Sequence, residues 1–154
     1  MAAPPDHIAV LFPLVIAVAI ILCTIFIHAL GLVAIVEFVR RERRLGRAGV
    51  KFWRDVIIVA GAALLALTAH LVEITAWAVL FVLAGEFPHI ATAFYHSAVN
   101  YTSLGYGDVV MSASWRLLGP LEAGDGMLMF GISTAMIFAV IQRLAQTRLG
   151  ESTD

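Results

Sequence analysis

A chain of 154 residues that is 61% hydrophobic and 14% charged is too apolar for a soluble domain, which runs at about half apolar and a quarter charged. Its net charge of −1 favours no charged macromolecular partner, and no nucleic-acid partner is expected. The single cysteine, Cys23, excludes an intramolecular disulfide.

The apolar residues fall into three blocks, 8–39, 56–85 and 117–142, each longer than the ~20 residues that cross a bilayer as a helix. The first has no basic residue ahead of it and is far longer than the 7–15-residue core of a signal peptide. It is read as a retained helix with Pro13 near one end and Gly31 further in. Its length requires tilt or extension beyond the bilayer. It has no arginine before Arg40, which excludes a voltage sensor built on a regular arginine ladder.

A basic loop, 40–54, follows. It holds seven of the ten Lys and Arg residues: Arg40, Arg41, Arg43, Arg44, Arg47, Lys51 and Arg54. Arg143 and Arg148 follow the last block. Loops rich in Lys and Arg stay cytoplasmic, so the 40–54 loop and the C-terminus are expected inside, and the N-terminus, with Asp6 and His7, outside. Three crossings satisfy this layout, which is that of a multi-pass protein of the plasma (inner) membrane.

The second helix, 54–85, carries the small residues Gly61, Ala62, Ala63 and Ala66, which permit close helix packing in lipid. Glu86, Phe87 and Pro88 end it. Residues 89–101 read as a short helix of ~20 Å, with His89, Thr92, Tyr95, His96, Ser97 and Asn100 along it. Too short to span and more polar than its neighbours, it reads as a re-entrant segment shielded by protein. A glycine-containing loop, 102–108, follows, and 109–116 returns to the outer surface. The third spanning helix begins near 117, with Gly119 and Pro120 in its first turn. About eleven residues follow Arg143, and no cytoplasmic ligand-binding domain is expected there.

The loop reads Thr102-Ser103-Leu104-Gly105-Tyr106-Gly107-Asp108. It resembles the potassium-channel selectivity filter, Thr-Thr-Val-Gly-Tyr-Gly-Asp, at the end of a short helix between two spanning helices. The resemblance, to prokaryotic members of the two-helix ion-channel family, covers about residues 56–143. It implies an all-α membrane protein with three transmembrane helices, a re-entrant pore helix and a filter loop. Residues 1–54 are then an N-terminal helix and basic loop, 55–146 the pore module, and 147–154 a short cytoplasmic tail. It also implies a homotetramer in the lipid bilayer, each chain supplying one loop. Backbone carbonyls of Ser103, Leu104, Gly105, Tyr106 and Gly107 would replace the water around a potassium ion, with the Ser103 hydroxyls as the innermost ring. Gly105 and Gly107 permit the backbone angles this requires. Thr102, Asp108 and Tyr95 would support the filter. Potassium is expected as permeant ion, with no cofactor and no other metal.

Ser103 stands where the family has threonine, and Leu104 where it has valine. Tyr95 and His96 occupy the family's two aromatic pore-helix positions, and Val99 the place of its occasional carboxylate. Tyr95 is therefore the expected hydrogen-bond neighbour of Asp108. Gly126 falls where the family's inner helix carries a hinge glycine, and serves either as hinge or for packing.

His28, Glu37, His70, Glu73, Glu122 and Asp125 lie within or near the spans, where ionisable groups are costly. Glu37 is expected to pair near Arg40 and Arg41. His70 and Glu73 share a helix face with Trp77. Glu73 and Asp125 reach similar depth, roughly 13–16 Å from the outer boundary by helical rise, near Asn100. His70, Glu73, Asp125 and Asn100 are thus a candidate buried network, either fixing helix register or titrating as a coupled group. Two readings compete with a potassium-selective pore: a weakly selective monovalent cation channel, and a membrane metal-binding protein or enzyme using His70 and Glu73, with His28 as a further ligand. No nucleophile–base pair supports an enzyme, and none is expected.

Overall fold

The computed structural model describes residues 10–150. Four helices follow in order: α1 (Leu11–Arg44), α2 (Phe52–Leu83), α3 (Ile90–Tyr101) and α4 (Leu118–Gly150). No strand occurs among the described residues. By length and composition α1, α2 and α4 are each able to cross a membrane; α3, with 12 residues, is not. The expected outward N-terminus with Asp6 and His7, the first residues of the 8–39 block and the last four residues of the tail lie outside the described residues.

Charge does not end α1 where the sequence suggests. Arg40, Arg41, Arg43 and Arg44 all lie in its last turns, leaving a connection of only 45–51. Arginine is a good helix former, and cations in the last turn complement the partial negative charge of a helix C-terminus. The helix ends instead at Gly46, whose amide bonds back to Arg43 O at 2.9 Å.

The described residues divide into two compact units. The first comprises 10–26 with Leu71–Leu128, the second Ile27–His70 with 129–150. In the second, Ile35, Val39, Ile58, Ala62, Ala66, Val140 and Leu144 form a buried core with Ala48. Close approach depends on missing side chains. A Cβ on Gly61 would meet the Phe38 ring at 2.7 Å, and one on Gly31 would meet Ala69 Cβ at 2.9 Å. At the basic end, Gly49 N–H donates to Asp55 Oδ1 at 2.8 Å, and Arg148 pairs with Asp55. Further along, Ser133 Oγ lies 3.3 Å from His28 Nε2 and 3.1 Å from His70 Nε2, and His70 stacks on Phe130.

In the first unit, Trp77, Phe81, Tyr101 and Leu118 are wholly buried. Helix α3 buries the face bearing Ala93, His96, Ser97, Val99 and Tyr101. The turn after α2 is tied to the segment before α4: Glu86 accepts from Ser112 N–H and Oγ–H, both at 2.7 Å.

Candidate functional site

The end of α3 uses its own carbonyls to start the loop. Ser103 N–H donates to Asn100 O at 2.8 Å, and Leu104 and Gly105 N–H both reach Val99 O, at 2.9 and 3.3 Å. Beyond that point the backbone turns against the usual hand at every second residue. Ser103, Gly105 and Gly107 have φ of 59°, 61° and 70°. Ser103 is the one non-glycine with positive φ among the described residues, a conformation that costs an L-residue about 1–2 kcal/mol. Residue chemistry identifies the two glycines beforehand but not Ser103, because serine ordinarily avoids this region.

The carbonyls of 103–107 accept no hydrogen bond among the described residues. Leu104 is 55% and Tyr106 66% exposed. These carbonyls therefore remain available as acceptors on an exposed stretch of backbone.

Its far end is held from α3. Tyr95 Oη–H donates to Asp108 Oδ2 at 2.7 Å. That bond holds the Asp108 carboxyl below its ordinary range and raises the Tyr95 phenol above its own. His96, one residue on, faces Val109 O at 2.9 Å through Nδ1 and Asn100 Nδ2 at 2.8 Å through Nε2. A carbonyl only accepts, so Nδ1 carries the proton and Nε2 accepts from the amide.

Protonating His96 would set two donors face to face, and burial already pushes its pKa below the ordinary histidine value. A histidine with a lowered folded pKa contributes stability above the unfolded pKa of about 6.5, lost as pH falls through the folded value. Thermal stability of purified wild type is expected to drop as pH is lowered from about 6.5. His96→Gln should show a flatter profile over the same range; a profile identical to wild type would remove His96 as the source.

The first unit also holds a set of buried carboxyls. Asp125 Oδ2 accepts from Trp77 Nε1–H at 3.0 Å and lies 2.8 Å from Thr24 Oγ1. Glu73 accepts from Tyr101 Oη–H. Ser97 Oγ donates to Ile74 O at 2.9 Å and also lies 2.5 Å from Glu122 Oε1. A hydroxyl has one proton, and the carbonyl can only accept it. That one proton serves either the Ile74 carbonyl or the Glu122 carboxyl.

Of the residues expected to share a network, Glu73, Asp125 and Asn100 fall in the first unit, each with the partners just described, and His70 in the second with Ser133. The expectation did not include the roles of Thr24, Ser97 and Tyr101, although Ser97 and Glu122 stand out in sequence as polar groups in apolar surroundings. Gly126 is fixed by packing: a Cβ there would lie 2.0 Å from Tyr101 O.

Three helices of spanning length, with a short polar helix and its loop between the last two, define a multi-pass membrane protein of channel type. The chain belongs to the ion channel family, whose model matches residues 56–143, more than half of its length. Neither a curated protein nor a solved structure matches.

Proposed function

We propose that this chain is one quarter of a homotetrameric potassium-selective channel, with residues 102–108 as its selectivity filter and 55–146 as its pore module. The observation that carries this reading is the alternation of positive φ at Ser103, Gly105 and Gly107 along a run of unspent carbonyls. Turning every second peptide plane is what allows successive carbonyls to share one face. Four such runs around an axis make stacked oxygen rings that replace an ion's hydration shell.

One chain supplies one run, and the exposure of Leu104 and Tyr106 calls for further copies to cover it. Helix α3 is re-entrant in this assembly and directs the partly negative end of its dipole toward the ion path. Thr102, Asp108 and Tyr95 brace the filter, and the buried groups Glu73, Asp125 and Asn100 support it from behind. The basic connection and the C-terminus face the cytoplasm.

The test is reconstitution into planar bilayers between potassium and sodium solutions. A reversal potential close to that of a potassium electrode is expected, with purified protein sedimenting at four times the chain mass. Equal permeation of both ions would support the weakly selective reading, favoured by the shorter Ser103 and bulkier Leu104. A monomeric protein without conductance would overturn both.

A further inference from the structure

Helix α1 precedes the region matched by the family, and a groove in the second unit indicates what it adds. The groove, about 210 Å³, is many times the ~30 Å³ share of one water molecule. Its lining repeats on two helices. From α1 come Val36, Val39, Arg40 and Arg43, and from α4 come Met136, Ala139, Val140 and Arg143. Both sets follow the spacing i, i+3, i+4, i+7, which places each on a single helix face. Both begin apolar and end in arginine.

The result is a slot with an apolar floor and guanidinium groups at one end, on helices long and apolar enough to span a membrane. Arg40 is partly engaged by Glu37, at 2.8 Å. Among the described residues, no ion pair holds Arg43 or Arg143. Guanidinium stays charged at any relevant pH and matches phosphate oxygens in pairs.

We propose that this groove binds one anionic phospholipid, its phosphodiester between Arg43 and Arg143 and its first methylenes along Val36, Met136 and Ala139. A soluble anion would satisfy the arginines and leave the apolar floor uncovered; a zwitterionic lipid would cover the floor and leave net positive charge. An anionic amphiphile meets both. The lipid would bridge α1 to α4 and so join the added helix to the matched region. The inference does not rest on potassium conduction, and its test reads binding directly.

Full-length protein is titrated with phosphatidylglycerol or phosphatidylcholine and followed by native mass spectrometry. An arginine near an anionic lipid surface contributes about fivefold in affinity, so Arg43→Gln with Arg143→Gln should weaken phosphatidylglycerol binding about 25-fold. Arg44→Gln with Arg54→Gln makes the same change in charge outside the groove and should leave binding within about twofold of wild type. Ala139→Trp fills the slot, keeps every arginine and should also weaken binding. Equal losses in the two arginine pairs would reduce the effect to general surface charge and overturn the site. Wild type binding both lipids alike, or Ala139→Trp binding as wild type does, would overturn it as well.

Discussion

Gly105→Ala is expected to abolish potassium flux while leaving the assembled protein intact. Gly105 sits at φ +61° with open space where a Cβ would project. The substitution therefore meets no clash within the chain and acts through the backbone alone. A left-handed conformation costs an L-residue about 1–2 kcal/mol, and the proposed tetramer would bear that cost four times in one ring. The cheapest relief is rotation of the peptide plane, which in the proposed filter turns a carbonyl off the ion path. Folding of the helices is untouched, since none depends on this residue. Gly85→Ala is the matched control: φ there is +76°, again with open space, but in the turn after α2. It carries the same local cost and should conduct normally. Flux from reconstituted liposomes, with oligomeric mass measured on the same preparation, decides the matter. Undiminished flux through Gly105→Ala would remove the loop from the conduction path.

The helices were legible because burial in lipid and burial in protein select the same residues: long apolar runs. The limits of α3 were legible too, since Pro88 precedes it and Gly105 and Gly107 follow it closely. The end of α1 was misread by several residues. Arginine marks the membrane boundary but also favours helix, so the charge cluster located the edge of the apolar run and not the end of the helix. The Tyr95–Asp108 bond followed from the absence of a carboxyl at Val99, one partner being missing and another within reach.

Bonds between segments distant in sequence were beyond reach. Trp77 to Asp125 and Tyr101 to Glu73 require knowing which faces of α2, α3 and α4 meet, and near-uniform apolarity erases the periodicity that would show it. Ser103 went unrecognised because its strain is imposed by the glycines and carbonyls around it and not by its own preference. Helix α1 was expected only as a retained spanning helix. The arginine groove needed the matching stripes of α1 and α4 to be seen side by side.

Gly126→Ala is expected to damage the fold more than any other glycine substitution in α4. Sequence leaves two roles for this residue, a flexible point in the helix or a site of close packing. A Cβ at 126 would fall 2.0 Å from Tyr101 O and 2.8 Å from Tyr101 C, with the Tyr101 ring at 3.1 Å. The first two are backbone atoms at the end of α3 and cannot step aside as a side chain would. Either α4 withdraws, loosening Trp77 and Asp125, or Tyr101 shifts and carries the start of the 102–108 loop with it. Overpacking in a core costs about 1–3 kcal/mol, and more where backbone must move. A fall of many degrees in melting temperature is expected, with loss of the assembled species. Gly124 and Gly131 provide the contrast, since a Cβ at either meets nothing within 4 Å. Alanine there should hold stability or raise it by about 0.5–1 kcal/mol through helix propensity. If Gly126→Ala instead melts with wild type and changes only open probability, flexibility rather than contact is what the glycine provides.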